Sequence, residues 1–458
     1  MAKRNKQQIS PKSQKLKRNL IWFSLFILFV KLILIFSIRY GGWMGSDAEG
    51  YVAGAVGLLK DGFFSKDPVL SYLPAGYPIT IWILALFTGT GSFITHASSV
   101  IVISIFQTVF YFGACAFFVE KIRRTRLSRM AIPTAILLGI NPTLSLSSLL
   151  IGYESIVASC TLLSVALIID FQQNKPQRSL RGTLIFVGLL QSFSGFMQPR
   201  VLLIGFALLL LWGLFQHSRK SLAIILVLGS CVMAVLPLLL VIRNYEATGT
   251  TVLSSQLGGN MSSGAGDTAT GGFTGSAHVA CPIKIPAVTV SDSDLVVCVL
   301  NWYVHHPVKT IRLVINKTVF FWSPWSGPLT NGTAGRNPWL KIDPVQNIGS
   351  TAKGHALVYG WFGKVISWIW LLGGILLIGV GFGWLWKQGA LEREISLLTA
   401  VPIFLATLTS IGTIGDHRYR IPIMGMSLFL QVVGIFALKE HFSRVKTPPA
   451  LVSRAGAR

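Results

Sequence analysis

Apolar segments long enough to cross a bilayer recur along the whole chain, and short polar or basic stretches separate them. The ten segments are residues 19–39, 97–119, 131–150, 154–171, 183–199, 201–215, 221–241, 357–386, 395–412 and 420–438. A helix needs roughly 20 mostly apolar residues to cross a hydrocarbon core about 30 Å thick, and in lipid the backbone must satisfy its own hydrogen bonds. The sequence therefore predicts an all-α polytopic membrane protein with about ten transmembrane helices.

The charge pattern gives these helices an orientation. The 458 residues carry a net charge of +24, yet 52% of them are apolar and 12% are charged, which excludes an ordinary soluble protein. Basic residues cluster in the N-terminal tail and in short loops, as the positive-inside rule requires of cytoplasmic segments. We therefore expect both termini in the cytoplasm of a multi-pass plasma-membrane protein, with anionic lipids rather than nucleic acid as partners of this charge.

The short apolar piece from Ile79 to Phe87 is predicted to lie as a helix in the outer interface. If it crossed the membrane, the basic cluster from Lys121 to Arg129 would be external, against the positive-inside rule. The chain then divides into a basic tail at residues 1–18, one membrane domain at 19–438 and a cytoplasmic tail at 439–458. The long loops at about 40–97 and 242–356 are external, and we expect the chemistry there.

Two carboxylates follow the first span in the stretch "GGWMGSDAEGYVAGAVGLLKDGFF". Asp47 and Glu49 are two residues apart, so their side chains diverge on a helix and share a face in an extended chain. One of them is enough to act on a substrate, and Asp47 is the preferred candidate. The alternative is a solvated loop carboxylate with no chemical role.

Charged residues at external positions or inside spans form a second group of candidates. Arg418 and Arg420 break the positive-inside pattern, and a guanidinium binds phosphate through two parallel hydrogen bonds. Arg200, at an external helix end, is a third candidate cation, and contact with lipid headgroups is the alternative for these arginines. Glu154 begins a helix, where the helix dipole alone favours an acid. Lys31 inside the first span either snorkels or lines a cavity.

The five cysteines divide by location. Cys115, Cys160 and Cys231 fall in apolar segments, whereas Cys281 and Cys298 share the large external loop. The external side is usually oxidising, so Cys281 and Cys298 are predicted to form a disulfide. Two unpaired thiols remain the alternative.

Cofactor motifs are weak in this sequence. The adjacent His305 and His306 point in different directions, which does not suit a shared metal. The loop "GGNMSSGAGDTATGGFTGS" lacks the Lys-Ser/Thr ending of a phosphate-binding P-loop. No cofactor is predicted, and a divalent metal is left open because no ligand set indicates one.

Several external motifs together resemble one enzyme family. The first loop contains Asp47-Ala48-x-x-Tyr51 and Pro74-x-Gly76-Tyr77-Pro78, the central segment contains Arg243-Asn244, His306-Pro307 and Lys317 follow, and the last external loop contains Arg418-Tyr419-x-x-Pro422. In this order they resemble the polyprenyl-phosphate-sugar-dependent glycosyltransferases of the GT-C superfamily, relatives of the bacterial protein O-mannosyltransferases and aminoarabinose transferases. Two departures are Asp47-Ala48-Glu49 in place of adjacent Asp-Glu, which puts the role of Glu49 in doubt, and Gly425 in place of a second proline.

The resemblance implies a GT-C-like fold and a hexosyl- or pentosyltransferase of the cell envelope. A polyprenyl-phosphate-linked sugar would move, with inversion, to a lipid, glycan or protein acceptor at the external face. Asp47, with Glu49 as second candidate, would be the general base. The residues implied in substrate binding are Arg418, Arg420, Tyr419, Arg200, Tyr51, Tyr77, Asn244 and Glu154.

Two other classes of protein stay open. A transporter or flippase of lipid-linked saccharides would also need many spans and buried charges, although the chain shows no internal repeat and its long external loops favour an enzyme. A purely structural membrane protein would tolerate substitution of Asp47 without loss of any chemistry.

Overall fold

The computed structural model describes residues 11–37, 46–88, 97–141, 143–272, 279, 292–322 and 361–446, and this part of the chain contains helices and no β-strand element. The helices are α1 (Pro11–Ser37), α2 (Ser46–Asp61), α3 (Val69–Tyr72), α4 (Gly76–Thr88), α5 (Ala97–Arg123), α6 (Ala131–Ile140), α7 (Glu154–Gln173), α8 (Leu180–Met197), α9 (Leu202–Leu214), α10 (Arg219–Thr248), α11 (Leu257–Ser263), α12 (Asp292–His305), α13 (Pro307–Trp322), α14 (Trp361–Trp386), α15 (Ala390–Gly412) and α16 (Ile421–Lys446). The all-α fold class is confirmed.

Eight stretches of described helix are long and apolar enough to cross a membrane. They are Arg18–Ile35, Val102–Arg123, Glu154–Gln173, Leu180–Met197, Arg219–Thr248, Trp368–Trp386, Ala390–Gly412 and His417–Ser443. The predicted count of ten is not confirmed by helix length, because the segments at 131–150 and 201–215 form the 10-residue α6 and the 13-residue α9.

The chain around α6 nevertheless runs from one end of the helical bundle to the other. Arg129, before α6, forms an ion pair with Glu440, whereas Glu154, after α6, forms one with Arg418. Arg418 and Glu440 flank most of α16, which separates them by roughly 30 Å at 1.5 Å per residue. The segment between Arg129 and Glu154 therefore covers the length of a membrane-spanning helix.

The chain around α9 makes a similar crossing. The guanidinium of Arg200 lies over the ring of Tyr419 at one end of the bundle. The Gln216 amide donates to Gln172 Oε1 at 3.1 Å, and Gln172 lies next to the last residue of α7, roughly 27 Å of helix from Glu154. We name the end with Glu154, Arg200 and Arg418 the site end, and the opposite end the basic end.

Two ion pairs to the buried Asp170 lie at the basic end. Lys121 Nζ lies 2.8 Å from Asp170 Oδ1, and Arg178 Nη2 lies 2.8 Å from Asp170 Oδ2. These residues belong to segments for which the positive-inside rule predicts a cytoplasmic location. That the basic end faces the cytoplasm stays a prediction.

Helix α7 is the centre of the bundle. Within its span 89% of the residues are buried, and it packs against α5, α8 and α16. It is rich in small residues, which let neighbouring membrane helices approach closely. At one such approach a Cβ on Gly425 of α16 would lie 2.8 Å from Leu162 Cδ2 of α7. The glycine that replaces the expected proline therefore serves helix packing.

Helix α4 contains the predicted interfacial piece. It has 13 residues and is too short to count as a span. Tyr77 and Ile81 are buried, whereas Leu86 and Phe87 are exposed. One part of α4 thus packs against the bundle, and its position relative to the membrane interface stays a prediction.

Candidate active site

Three segments that are far apart in the sequence meet in one charged cluster at the site end. Arg418 Nη1 donates a hydrogen bond of 2.6 Å to Asp47 Oδ2, and Arg418 Nε forms an ion pair with Glu154 Oε1. The side chains of Arg418 and Glu154 are 4% and 2% exposed, while that of Asp47 is 23% exposed. The guanidinium is therefore buried between two carboxylates, and Asp47 is the member with access to solvent.

Each member of the cluster lies at the beginning of a helix. Asp47 is in the first turn of α2, and Glu154 is the first residue of α7. Arg418 lies in a short 3-10 helix, His417–Arg420, that leads into α16, and the Asp416 side chain caps it by accepting from Arg418 N at 2.9 Å. Free backbone N–H groups and the helix dipole favour negative charge at such positions. The local folding of three helix starts thus creates a place suited to anions.

Arg200 lies beside the cluster in a different environment. Its Cζ is 3.3 Å from the centroid of the Tyr419 ring, and its Nη2 donates to the Tyr153 hydroxyl at 3.2 Å. The same hydroxyl accepts from Gln198 Nε2 at 2.8 Å. Among the described residues no carboxylate lies within ion-pair distance of Arg200. Arg200 therefore makes no direct ion pair within the described part of the chain, unlike Arg418.

A group of tyrosines packs behind the cluster. The ring of Tyr51 meets Tyr77 edge to face with centroids 5.0 Å apart, and Tyr153 at 6.3 Å. The Tyr77 hydroxyl donates to Gln107 Oε1 at 3.1 Å and accepts from Gly152 N at 2.9 Å. Burial raises the pKa of Tyr51 well above its ordinary value, although nearby Arg418 acts in the opposite direction. Tyr51 is therefore a neutral phenol.

The structure does not bring every predicted site residue into the cluster. Glu49 lies in the first turn of α2 but is exposed. Arg420 is buried, and its guanidinium contacts the Trp322 carbonyl and ring. Asn244 is buried and donates to the Val252 carbonyl at 2.8 Å. Arg420 and Asn244 thus contact other parts of the fold, and Glu49 is exposed on α2.

Asn244 belongs to a buried structural contact together with Arg243. The Arg243 guanidinium donates to Asn244 Oδ1 at 2.8 Å, to the Leu70 carbonyl at 3.2 Å and to the Ser65 carbonyl. These bonds tie the end of α10 to the connection between α2 and α3. The Arg-Asn pair of the motif thus helps to fix the connection that follows α2, the helix that carries Asp47.

Lys317 holds the turn that precedes Arg418. Its Nζ donates to the Tyr303 hydroxyl at 2.7 Å and to the carbonyls of Ile411 and Thr413 at 3.1 and 2.6 Å. A Cβ on Gly415 would lie 2.5 Å from the Lys317 carbonyl oxygen, so only glycine fits there. Burial lowers the pKa of Lys317 to about 7, whereas its three oxygen acceptors favour the ammonium form.

The sequence did not mark several residues of this region. His417 is 1% exposed, and its Nδ1 lies 3.2 Å from Asp416 Oδ1. Tyr153 and Gln198 link Arg200 to the start of α7. The signals available were the neighbours: Tyr153 precedes Glu154, Gln198 precedes Pro199-Arg200, and Asp416-His417 precedes Arg418.

A cavity of about 410 Å³ adjoins this region. Its lining is rich in hydroxyl groups and consists of Lys66, Pro68, Ser71, Tyr72, Thr248, Thr250, Val252 and Ser255. Burial, followed by the charges of Asp47 and Asp292, raises the pKa of Tyr72. Tyr72, which lines the cavity, is therefore close enough to Asp47 to be affected by its charge.

Side chains of the described part of the chain bear on the metal left open by the sequence and on the predicted disulfide. Within the described ranges no group of three His, Cys, Asp or Glu side chains could hold a metal ion. Cys298 takes part in a disulfide. Cys281 lies outside the described residues, so its pairing with Cys298 stays a prediction.

Comparison with known proteins gives structural similarities and no sequence relatives. No protein-family model matches the chain, and no curated protein does. The archaeal oligosaccharyltransferase AglB from Archaeoglobus fulgidus, solved with an inhibitory peptide and a dolichol-phosphate, is 13% identical with a TM-score of 0.46 over 95% of this chain and 52% of that one. ArnT from Cupriavidus metallidurans, bound to undecaprenyl phosphate, is 14% identical with a TM-score of 0.38 over 93% of this chain and 78% of its own.

The chain spans about half the length of the oligosaccharyltransferase. TM-scores of 0.46 and 0.38 at 13% and 14% identity are too low to assign an activity or a substrate.

Proposed function

We propose that this chain is an integral-membrane glycosyltransferase, which transfers a sugar from a polyprenyl-phosphate-linked donor to an acceptor at the external face. One observation carries the proposal. Asp47, Glu154, Arg200 and Arg418 come from four separate segments and meet at helix starts at one end of the bundle. They include the carboxylate and the arginines that the sequence resemblance implies for catalysis and phosphate binding.

Asp47 acts as the general base in this proposal. Its partial exposure lets an acceptor hydroxyl or amine approach, and Arg418 fixes its orientation through Oδ2. Asp47 takes the acceptor proton while the acceptor oxygen or nitrogen attacks the anomeric carbon. The bond from that carbon to the phosphate oxygen breaks, and polyprenyl phosphate leaves with the electron pair. Attack from the face opposite the phosphate gives inversion.

Arg200 binds the donor phosphate in this proposal. Arg418 was the first candidate from the sequence, but its guanidinium already serves Asp47 and Glu154. Arg200 stacks on Tyr419 with one face, which leaves N–H groups at its edge for two parallel bonds to phosphate oxygens. A cation near the leaving oxygen stabilises the charge that develops there during transfer. Arg418 is then a positioning residue for the base.

The cavity beside Tyr72 is the proposed acceptor site. Its hydroxyl-bearing lining, with Ser71, Thr248, Thr250 and Ser255, offers donors and acceptors to a polar ligand. Tyr72 lines this cavity and is affected by the charge of Asp47. This proximity suits an acceptor that delivers its proton to the Asp47 carboxylate. Which sugar and which acceptor the enzyme uses is a question for the assay.

The experiment uses purified protein in nanodiscs with a panel of labelled polyprenyl-phosphate sugars. Release of polyprenyl phosphate without a second compartment identifies an enzyme. Donor movement across a vesicle membrane without cleavage would instead support the transporter reading and overturn the proposal.

The Arg200→Met variant tests the phosphate site. Hydrogen bonds between charged groups contribute about 1.5–3 kcal/mol, so donor affinity should fall roughly 10- to 100-fold. The matched control is Arg219→Met, because Arg219 is exposed at the start of α10. Equal donor affinity in the two variants would remove Arg200 from the phosphate site.

A further inference from the structure

An apolar cavity of about 520 Å³ lies between α1, α5 and α6. Its walls include Leu20, Phe23 and Ile27 of α1, Tyr111 and Cys115 of α5, and Leu138 of α6. No member of the charged cluster at the site end lines it. Volumes of roughly 300–1,000 Å³ are typical of sites for small molecules.

Lys31 extends into this cavity without a hydrogen-bond partner. The residue is 4% exposed, and its Nζ has no partner among the described residues. The Nζ lies 4.5 Å from the centroid of the Tyr111 ring. A lysine near a helix end can reach the membrane surface with its charge, but this side chain is directed inward. An ionisable group buried in a span is costly, and such groups usually have a functional partner.

Among the described residues no carboxylate forms an ion pair with Lys31. Glu120 is the one carboxylate that lines the cavity, and it is already paired with Arg123 at 2.7 Å and Arg124 at 2.8 Å. Glu120 also lies nine residues after Tyr111, which corresponds to roughly 13 Å along α5. The Tyr111 hydroxyl donates to the Leu138 carbonyl at 2.9 Å and is therefore engaged. In its charged form Lys31 therefore has room for an anionic ligand that the described residues do not replace.

We infer that the cavity binds a single-chain amphiphile with a carboxylate head, a long-chain fatty acid, whose carboxylate contacts Lys31. A molecule in liquid water occupies about 30 Å³, so the cavity of about 520 Å³ has room for roughly 17 groups of that size. Palmitic acid has about 18 non-hydrogen atoms, so its size matches the cavity. One ammonium matches one carboxylate. A phosphate monoester carries up to two negative charges, and the second cation that lines the cavity, Arg124, is already paired with Glu120 at 2.8 Å.

The wall formed by α1 gives the ligand access from the bilayer. Ile21 and Leu25 line the cavity, yet they are 49% and 46% exposed on the outer side of α1. In the span of α1 only 17% of the residues are buried, so this helix is held less firmly than the central α7. A small displacement of α1 would open the cavity to lipid.

The test measures binding of labelled palmitic acid to delipidated protein in phosphatidylcholine nanodiscs. Hexadecanol has the same chain without the charge, and hexadecyl phosphate carries the alternative head. We expect saturable binding of palmitic acid, at least tenfold weaker binding of hexadecanol, and a ligand-dependent rise in melting temperature.

Variants separate the site from general lipid binding. Lys31→Met should bind palmitic acid 10- to 100-fold more weakly, because a charge-assisted contact is lost, and it should melt no lower than wild type without ligand. Ala116→Phe, which fills the cavity from α5, should also lose binding. Lys439→Met is the matched control, since Lys439 is exposed.

Two results would overturn the inference. One is a lack of charge recognition: wild type and Lys31→Met bind palmitic acid equally, or wild type binds palmitic acid and hexadecanol equally. Binding would then be apolar only. The other is tighter binding of hexadecyl phosphate than of palmitic acid, which makes the cavity a lipid-phosphate site.

Discussion

Replacement of Asp47 by asparagine tests the proposed base with little change to its surroundings. Asparagine keeps the size of the side chain and an oxygen that can accept from Arg418 Nη1. Arg418 also keeps its ion pair with Glu154. Glu49→Gln is the matched control, because Glu49 lies in the same first turn of α2, loses the same charge and is exposed.

The expected loss of activity is larger than the expected loss of stability. General-base catalysis contributes about 10²- to 10⁴-fold, which corresponds to roughly 3–5.5 kcal/mol in the activation barrier. Loss of one charged partner at a 2.6 Å contact should lower the free energy of unfolding by about 1–3 kcal/mol. The weaker interaction with the α2 dipole, about 0.3–1 kcal/mol, is common to Asp47→Asn and Glu49→Gln.

The assay measures turnover at saturating donor, donor affinity and melting temperature for both variants. We expect Asp47→Asn to lose turnover per folded molecule while donor affinity stays near that of wild type. Turnover of Asp47→Asn within about threefold of Glu49→Gln would refute the role of Asp47 as base. Loss of activity in Glu49→Gln alone would move the base by two residues along α2.

Three further predictions concern stability and topology. Arg418→Lys should unfold about 1–3 kcal/mol more easily and lose turnover, because a shorter point-like ammonium cannot reproduce the contacts of the planar guanidinium with both Asp47 and the buried Glu154; unchanged melting would contradict this. Burial lowers the pKa of Lys317 in the folded state to about 7, so above pH 7 the unfolded state binds more protons than the folded state. The free energy of unfolding should therefore rise from pH 7 to 9, by at most ~1.4 kcal/mol per pH unit. The check is the melting temperature of wild type and of Lys317→Met, measured against pH over this range. If the melting temperature changes with pH equally in both proteins, the hydrogen bonds keep Lys317 charged. In intact cells an impermeant thiol reagent should label Asp267→Cys and leave Arg126→Cys unlabelled, and the reverse result would invert the topology.

The helical bundle could be predicted because hydropathy and charge act locally. Apolar runs of sufficient length and basic breaks indicated the spans. Helix lengths were less predictable, since hydropathy does not report where the backbone leaves the α conformation. Helix α6 ends at Ile140, just before Asn141-Pro142, and a residue before proline disfavours that conformation.

The members of the site were more predictable than their partners. Asp47, Glu154, Arg200 and Arg418 stood out as charges in unusual positions near predicted spans, and the structure brings them together. Which carboxylates pair with which arginine depends on contacts across hundreds of residues, and a single sequence does not contain that information. Asn244 was chosen from a motif and Arg420 from its charge at an external position, and both contact other parts of the fold.

The pairing within the cluster suits the proposed reaction, in which one site must both hold a phosphate ester and release it. The formal charges of Asp47 and Glu154 cancel those of Arg418 and Arg200. In the proposed reaction Asp47 gains a proton and loses its negative charge, while the leaving phosphate gains one negative charge. The total charge therefore stays constant, and negative charge moves from the Arg418 side of the cluster to the Arg200 side. Because both guanidinium groups are held in place before the reaction, by carboxylates in one case and by Tyr419 and Tyr153 in the other, little reorganisation is needed as the charge moves.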